Sequence, residues 1–296
     1  MNIKYFFFCL VFSAIVKSGF AAGSSPVDYK VEAQRLIQGA TNSVFGFSRL
    51  ATLCDKFGPR FTGSKNLEDA IDWCLSEMKK DGFKNVRGEE VTVPRWVRGN
   101  ESVELIKPRN RKLPMLGLGG SVGTPPEGIT ADVLVVSGFE DLKKRSSEAK
   151  GKIVLFNVPF TEYRETVIVR TQGANHAARV GAVASLIRSV GPFSMQTPHT
   201  GGMSYASGVK KIPHAAISLE DANMLTRMAA RGESIRIRLK MEAKALPDGI
   251  SRNVIAEIPG REKPEEIVIV SGHIDSWDVG QGAMDDGGGC LAAWEA

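Results

Sequence analysis

The sequence predicts an α/β protein, and three observations lead to this prediction. Between residues 131 and 240, short apolar strands alternate with amphipathic helices. A stretch rich in glycine and proline, residues 107–128, separates this alternation from the residues before it. The apolar run at residues 267–270 has the pattern of a strand buried on both faces of a parallel sheet. Because alternating strands and helices pack as helices on a sheet, we expect an α/β fold with more than one unit.

The first residues have the pattern of a secretory signal peptide. Lys4 precedes an apolar run at residues 5–16, and small residues that include Gly19 and Ala21 follow the run. The run is too short to span a bilayer comfortably, and no later segment of the sequence is long and apolar enough to do so. We therefore expect a signal peptide at residues 1–21, with a buried N-terminal helix as the alternative. The signal implies the secretory pathway: the extracellular space, the lysosome, the endoplasmic reticulum or the Golgi.

The residues before the glycine- and proline-rich stretch predict helices followed by an extended segment. Residues 31–54 carry enough apolar side chains for one or two helices. Residues 64–80 have apolar positions at three- and four-residue spacing, so a helix there has one apolar face. Its first residue, a serine, is a suitable N-cap, and Gly82 is a suitable end. Residues 83–93 then predict an extended segment that Pro94 closes.

The second unit, residues 107–246, is predicted to be a small α/β domain. Its strands are expected at residues 131–136, 153–157, 182–187, 215–217 and 235–240, and its helices at residues 171–180 and 219–231. The run Leu246-Pro247-Asp248-Gly249 predicts the turn that leaves the unit. Beyond it, strands are expected at residues 252–258 and 266–270, and a helix is expected to begin near residue 287.

Residues with the chemistry of a metal site lie in this last part. His273 follows the strand predicted at residues 266–270, and ligands bind at the carboxyl ends of strands in open α/β sheets. In an extended segment Asp275 projects to the same side as His273, so its carboxylate can accept one ring N–H and orient the other nitrogen toward a metal. Asp285 lies in a glycine-rich turn and can act as a further metal ligand. The alternative for Asp285 and Asp286 is a pair of ordinary helix caps.

Long strings of the sequence resemble a known family. SGHIDSWDVGQGAMDDGGG, at residues 271–289, resembles the first metal-binding segment of the co-catalytic zinc exopeptidases, and more narrowly of their carboxypeptidase Q group. FGPRFTGS, at residues 57–64, resembles the first motif of that family. Residues 163–189 resemble its inserted protease-associated domain, as do the strings PHTGGMSY and KIPHAAISLEDANML.

The resemblance implies a fold and an activity. The fold is a zinc-exopeptidase mixed-sheet sandwich, here incomplete, with a protease-associated α/β domain inserted at residues 107–246. Residues 22–106 would be the N-terminal part of the peptidase domain, with or without a propeptide, and residues 247–296 the start of its zinc-binding core. The implied activity is hydrolysis of dipeptides or short peptides by a homodimeric carboxypeptidase or metallodipeptidase that holds two Zn²⁺ ions.

The same resemblance assigns roles to individual residues. His273 and Asp285 match zinc ligands, Asp275 matches the residue that orients His273, and the peptide bond from Asp285 to Asp286 is expected to be cis. The family's glutamate base and its remaining ligands follow further along the chain, and a catalytic zinc takes about three protein ligands. We therefore expect this chain to be truncated and inactive, as part of a peptidase. The alternative is a non-catalytic binding protein or a dominant-negative fragment.

Composition and other motifs argue against two further functions. The net charge of +5, from 38 basic and 33 acidic residues, is small and dispersed, so a nucleic-acid partner is not expected. Gly119-Gly120-Ser121-Val122-Gly123 matches the motif of a serine-hydrolase nucleophile, which needs a strand before it and a helix after it. The following Thr124-Pro125-Pro126 does not begin such a helix.

The remaining candidates are two cysteines, one glycosylation site and three histidines. Cys54 and Cys74 form either a disulfide or a pair of buried thiols. Asn100, in an Asn-Glu-Ser sequon, is a glycosylation candidate. Three histidines lie in the second unit: His176, His199 and His214. The first and last are expected to be structural, and His199 lies in a predicted loop, where a role over the active site is the alternative.

Overall fold

The computed structural model describes residues 28–296, so the predicted signal peptide at residues 1–21 lies outside the described residues. Two compact units divide the described chain: one ends at Val44, and the other is Phe45–Glu295. The first unit contains helix α1 (Lys30–Asn42), whose residues are all exposed. The second unit contains the remaining helices and strands.

The second unit contains both helices and strands, which alternate in the part from β5 to β9. Its helices are α2 (Phe45–Thr52), α3 (Lys65–Lys80), α4 (Phe139–Lys144), α5 (Ser146–Ala149), α6 (Tyr163–Thr166), α7 (Ile168–Arg179), α8 (Leu219–Ala230) and α9 (Gly288–Glu295). Its strands are β1 (Lys84–Val97), β2 (Glu101–Lys107), β3 (Arg111–Leu113), β4 (Met115–Gly117), β5 (Ile129–Val136), β6 (Ile153–Phe156), β7 (Ala184–Arg188), β8 (His214–Ile217), β9 (Arg236–Met241) and β10 (Lys244–Glu257). Single π-helical turns occur at Leu53–Phe57 and Ala283–Gly287.

Helix α3 forms where the apolar spacing predicts it. The Ser64 hydroxyl accepts the N–H of Leu67 at 3.2 Å, an N-cap contact worth about 1 kcal/mol. The buried face of the helix consists of Leu67, Ala70, Ile71 and Cys74. The predictions of the helix, its cap and its buried face are therefore confirmed.

Eight strands form one mixed sheet in the order β3-β2-β9-β5-β6-β7-β8-β4. Strands β5 to β8 are mutually parallel, and the other pairs are antiparallel. The predicted α/β class and the five predicted strands are confirmed. The glycine- and proline-rich stretch at residues 107–128 contains two strands that the sequence analysis does not predict, β3 and β4. Both are three-residue strands at opposite edges of the sheet, too short to leave a periodic pattern in the sequence.

Helices cover both faces of this sheet. On one face, Ala222 and Leu225 of α8 pack on strand residues. On the other, Leu142 of α4 and Ala174 of α7 do so. Each fully buried leucine here stabilises the fold by about 1.5–3 kcal/mol. Because strand β6 is buried on both faces, its sequence is a continuous apolar run rather than an alternating one.

A long antiparallel pair, β1 with β10, forms a separate two-stranded ribbon. Two sequence predictions are corrected by it. Pro94 does not close the first strand, because the pairing register shifts between Val93 and Arg95, so the missing N–H of the proline leaves no ladder bond unmade. The predicted exit turn at residues 246–249 lies inside β10, at the same irregularity.

The strand predicted at residues 266–270 is not formed. Ile267, Val268, Ile269 and Val270 are 81%, 90%, 81% and 64% exposed. A strand needs partners for its backbone N–H and C=O groups, and within residues 28–296 none of the strands pairs with this segment. The apolar run at residues 267–270 predicted a buried strand, but the described residues leave these side chains exposed.

His214, on β8, is a fully buried histidine that is expected to make folding depend on pH. Its Nδ1 lies 3.3 Å from the Ser185 carbonyl oxygen and its Nε2 lies 3.1 Å from that of Arg170. Burial lowers the pKa of His214 from 6.5 to about 4. Between these two values the unfolded chain binds the proton more strongly, so the free energy of unfolding falls as the pH drops from 6.5 toward 4. We expect this histidine to account for roughly 2 kcal/mol between pH 6.5 and 4.5.

Urea unfolding at these two pH values measures the effect. In the His214→Gln variant the pH dependence should shrink by that amount, even if the variant is less stable at both pH values. His176→Gln, on α7, is the control and should keep the His214 contribution. An unchanged pH dependence in His214→Gln would contradict the assignment.

Candidate metal centre

The segment between β10 and α9 brings the three predicted site residues together. His273 Nε2 lies 2.9 Å from Asp285 Oδ1. On the other side of the ring, Nδ1 lies 3.1 Å from Asp275 Oδ1 and 3.0 Å from the Asp275 carbonyl oxygen. A proton on Nδ1 satisfies Asp275 and leaves the Nε2 lone pair facing Asp285. The arrangement has the chemistry expected from the sequence, and the role of these residues as metal ligands stays a prediction.

The electrostatics of this cluster favour a positive charge next to Asp285. Partial burial lowers the pKa of His273, but the contacts with the Asp275 carbonyl and carboxylate and with Asp285 outweigh it, so the pKa is raised. Either a proton on the ring or a cation beside it satisfies these carboxylates. A metal requires the ring in its neutral form, so proton and metal compete for the same position.

The two adjacent aspartates have different surroundings. The peptide bond between Asp285 and Asp286 is cis, as the resemblance implied. The Asp286 carboxylate accepts the backbone N–H groups of His273 at 3.1 Å and Gly289 at 3.2 Å. It therefore caps the start of α9 and fixes the backbone at His273, whereas Asp285 is mostly exposed and contacts the ring of His273. Of the two aspartates, only Asp286 therefore has the capping role that the sequence analysis gave as the alternative for both.

A fully buried arginine, Arg60, holds the site segment in place. Its guanidinium donates to the carbonyl oxygens of Ile274 (2.8 Å), Gln281 (2.8 Å) and Gly282 (3.1 Å), and to that of Gly58 (2.8 Å). The Ile274 carbonyl is next to His273 at one end of the segment, and those of Gln281 and Gly282 are close to Asp285 at the other. Burial lowers the pKa of Arg60. Arg60 therefore ties both ends of the site segment to the loop that follows the π-helical turn at Leu53–Phe57.

A cleft of about 250 Å³ opens beside His273 and Asp285. Its lining residues are Phe61, Thr62, His273, Asp275, Ser276, Trp277 and Asp285. The Thr62 hydroxyl donates to the Asp275 carboxylate at 3.0 Å, which holds that carboxylate against the His273 ring. The loop at residues 57–64 thus supplies both support for the site and part of its wall.

An ion pair between Arg98 and Asp278 attaches the site segment at a further point. The guanidinium of Arg98 donates to both carboxylate oxygens of Asp278 at 2.7 Å. Arg98 is buried and also donates to the Gly117 carbonyl oxygen on β4. A bidentate pair of this kind fixes direction as well as distance. The site segment is therefore attached to the edge of the eight-stranded sheet as well as to Arg60.

The donor types present fit part of a zinc site. Imidazole nitrogen and carboxylate oxygen are both ordinary zinc ligands, and Asp275 provides the supporting contact that ligating histidines usually make. Within residues 28–296, no three His, Cys, Asp or Glu side chains are grouped so that they could hold a metal ion. His273 and Asp285 can therefore supply two ligands, one fewer than a catalytic zinc takes.

Of the other sequence candidates, His176, His214 and Ser121 lie outside this cluster. His176 stacks on Phe139 at 3.9 Å between ring centroids, and His214 is buried. Ser121 is buried too, and its hydroxyl accepts the N–H of His214, so it is not an exposed nucleophile. The pKa of His199 is lowered by burial and by the charge of Arg170, and the charge of Asp285 acts in the opposite direction, so His199 lies within electrostatic reach of the site; its role over the active site stays a prediction. Its loop is tied to the same sheet edge, because the Thr200 hydroxyl donates to Gly117.

The thiols and the sequon complete this set. Cys54 and Cys74 are both buried and free. Burial raises the pKa of Cys74 to about 12. Asn100, the glycosylation candidate, is exposed at the start of β2. Among the described residues, no helix is both long and apolar enough to cross a membrane.

Several supporting residues were not foreseen. The sequence pattern singled out the string at residues 57–64 without giving Arg60, Phe61 or Thr62 a role. The Arg98–Asp278 pair joins positions 180 residues apart, and spacing along the sequence does not reveal it. An arginine in an otherwise apolar and glycine-containing loop was the available signal for Arg60.

Comparison with known proteins gives consistent results. Residues 253–296 match peptidase family M28. Human carboxypeptidase Q is 57% identical over 250 residues, and the Xenopus laevis protein of that name is 56% identical over the same length. Each match covers 84% of this chain and 53% of the relative. The chain therefore spans about half the length of the curated relatives it matches.

Solved structures share the fold. A peptidase M28 precursor from Shewanella amazonensis SB2B has a TM-score of 0.83 at 36% identity, over 87% of this chain and 60% of the other. BSAP, a zinc aminopeptidase from Bacillus subtilis, has a TM-score of 0.62 at 25% identity, over 85% and 56%. The mixed α/β fold of this chain is thus that of M28 peptidase structures.

Proposed function

This chain is a homologue of carboxypeptidase Q that carries a peptidase family M28 segment, and from that premise we propose that it is part of a secreted zinc-dependent exopeptidase. The substrates would be dipeptides or short peptides, cleaved from a free end as by a carboxypeptidase or metallodipeptidase. The observation that carries the proposal is the contact of His273 with Asp275 on one ring nitrogen and Asp285 on the other. All three residues lie inside the segment that matches the peptidase family.

The proposed roles follow from this geometry. His273 and Asp285 would hold Zn²⁺, and two ions are proposed for the complete protein. When bound, zinc supplies Lewis-acid polarisation of the scissile carbonyl and a lowered pKa for a bound water. Asp275 keeps the proton of His273 on Nδ1, so that Nε2 presents its lone pair. Thr62 holds the Asp275 carboxylate in place, and Arg60 fixes the backbone on both sides of the site.

The proposal includes an inactive state for this chain alone. Two described ligands do not complete a catalytic zinc site, and no glutamate is assigned as the base that would take a proton from water. In the complete protein, residues 22–106 and 247–296 would belong to the peptidase domain and residues 107–246 to the inserted protease-associated domain. The eight-stranded sheet, formed from residues 101–241, supports an insertion of about this extent.

Location and assembly are proposed in the same way. A signal peptide at residues 1–21 would direct the chain to the secretory pathway, and the exposed Asn100 supports glycosylation there. Release of an N-linked glycan from secreted wild type, but not from Asn100→Gln, tests both points. A homodimer is proposed for the complete protein, and sedimentation measurements that give only a monomer would argue against it.

Zinc binding and dipeptide hydrolysis test the proposed function directly. The 296-residue chain would be compared with a chimera completed by the remaining half of human carboxypeptidase Q. We expect the chimera to bind about two zinc ions and to cleave dipeptides, and the chain alone to do neither. If the chimera does not bind zinc, the peptidase proposal fails and a non-catalytic binding role is favoured. If the chain alone is active, the proposed inactive state is wrong.

A further inference from the structure

We propose that a second cleft, which adjoins the candidate metal centre, binds a small carboxylate with an apolar body, and that Arg95 pairs with its charge. The cleft has a volume of about 370 Å³, within the ~300–1,000 Å³ of sites that take small molecules. Phe61 and Thr62 line both clefts, but the candidate metal ligands His273 and Asp285 do not line this one. A ligand here would therefore bind whether or not the protein holds zinc.

Arg95 is a partly buried cation without a partner. Within residues 28–296, its guanidinium makes no hydrogen bond and no ion pair. The other arginine of the cleft, Arg98, is neutralised by its bidentate pair with Asp278. These three are the charged residues that line the cleft, so its lining has one positive charge in excess. An anion is the ligand that offsets this charge.

The backbone on both sides fixes the stem of Arg95. A Cβ built on Gly63 would lie 2.5 Å from Cγ of Arg95, and one built on Gly249 would lie 2.6 Å from Cδ. The stem therefore runs between two stretches of backbone that come this close only because both residues lack a side chain. A side chain confined in this way loses little conformational entropy when its guanidinium binds a ligand, which favours affinity.

An irregularity in the ribbon of β1 and β10 sets the direction of Arg95. The pairing changes from Val93 with Gly249 to Arg95 with Leu246, so two residues of β10 face Pro94 of β1. A bulge of this kind takes side chains out of regular alternation, and bulges are frequent beside active sites. Both Arg95 and its pairing partner Leu246 line the cleft. The ribbon therefore contributes a charged and an apolar side chain to the same cavity.

The lining favours a single negative charge on an apolar body. A guanidinium binds a carboxylate through two parallel, charge-assisted hydrogen bonds. A doubly charged phosphate would find one uncompensated cation and would also face the Asp278 carboxylate. The apolar residues that line the cleft are Phe61, Trp96, Val97, Leu246 and Val279. The ligand class is therefore an aliphatic or aromatic monocarboxylate.

Binding of 3-phenylpropionate to the 296-residue chain in zinc-free buffer tests the site. Labelling with 5-fluorotryptophan gives four ¹⁹F resonances, of which Trp96 reports on this cleft and Trp277 on that of the metal centre. We expect a saturable shift of the Trp96 resonance. The neutral 3-phenylpropionamide should bind at least about tenfold more weakly, because it cannot form the charge-assisted pair. Equal affinity for the acid and the amide, or a response confined to Trp277, would overturn the proposal.

Two arginine variants on the same strand provide a matched pair. Arg95→Met keeps much of the volume but removes the guanidinium, and it should weaken 3-phenylpropionate binding at least about tenfold. Arg87→Met removes the same charge from β1 outside the cleft and should bind as wild type does. Arg95→Lys keeps the charge without the planar fork, so its affinity should lie between these two. If Arg95→Met and Arg87→Met bind equally, Arg95 does not hold the carboxylate.

Two further measurements locate the ligand and define its source. His273, whose pKa is raised, is a cation in the adjoining cleft, and the His273→Gln variant should bind 3-phenylpropionate as wild type does. Loss of binding in that variant would place the carboxylate at the metal centre and contradict the proposal. N-acetylglycyl-L-phenylalanine carries the same ring and carboxylate at the end of a peptide. If it binds more tightly than the free acid, the cleft belongs to a peptide-binding surface, and a separate site for a small carboxylate is wrong.

Discussion

The Arg60→Met variant is expected to lose about 4 kcal/mol or more of its free energy of unfolding. Methionine fills much of the same volume but donates no hydrogen bonds. Four partly buried carbonyl oxygens, those of Gly58, Ile274, Gln281 and Gly282, would lose their donor. Each buried acceptor left unpaired costs about 1–3 kcal/mol, and the relief of no longer burying a charge offsets part of the sum. Urea unfolding of the 296-residue chain, followed by circular dichroism, measures the loss.

Two further variants make this result specific to the network. Arg60→Lys keeps the charge but cannot reach four separate carbonyls with one ammonium group, so its stability should fall between wild type and Arg60→Met. Arg236→Met removes a mostly exposed partner of Asp132 and should cost less than about 1 kcal/mol. If Arg60→Met costs no more than Arg236→Met, Arg60 is not the support described here.

The His273→Gln variant of the completed chimera should lose zinc and on the order of 10³-fold or more in hydrolysis. Glutamine removes the imidazole nitrogen, and with it a ligand to a cation that contributes several kcal/mol to the transition state. Asp285→Asn should have a comparable effect, since the amide no longer offers a charged ligand. Asp275→Asn acts through His273 and should weaken zinc about 10- to 100-fold. Competition with a chelator of known affinity measures zinc binding independently of hydrolysis.

The ranking of these variants is the decisive result. His176→Gln serves as the control, because His176 stacks on Phe139 and has no contact with the site segment, and it should bind zinc as wild type does. Retention of full zinc affinity by His273→Gln would exclude this histidine as a ligand. A larger loss in Asp275→Asn than in His273→Gln would show that Asp275, not His273, holds the metal.

The sequence predicted most of the fold where local periodicity reports it. Helix α3 and strands β5 to β9 follow from apolar spacing and from continuous apolar runs, since those patterns reflect the surface each element buries. The strand expected at residues 266–270 shows the limit of that reasoning. An apolar run indicates that a segment prefers burial, but pairing depends on a neighbouring strand that the segment itself does not specify. The three-residue strands β3 and β4 are below the length at which a period is visible.

The site was foreseen in its chemistry but not in its support. His273, Asp275 and Asp285 are close in sequence, so spacing and side-chain chemistry were enough to group them. Arg60, Thr62 and Arg98 contact the same segment from more than 170 residues away. No pattern in one sequence links such distant positions, because the link is created only when the sheet and ribbon have folded between them.

The Arg60 contacts also bear on the order of events during synthesis. Three of the four Arg60 acceptors lie more than 210 residues away in the sequence, whereas the eight-stranded sheet is built from residues 101–241. Contacts between residues so far apart in the sequence form slowly, since a long loop must close first. At about 5–20 residues per second, Arg60 leaves the ribosome roughly 10–40 s before Ile274 does. During that interval the Arg60 guanidinium lacks three of its four acceptors, so the loop at residues 57–64 should stay accessible to chaperones until the last part of the chain emerges.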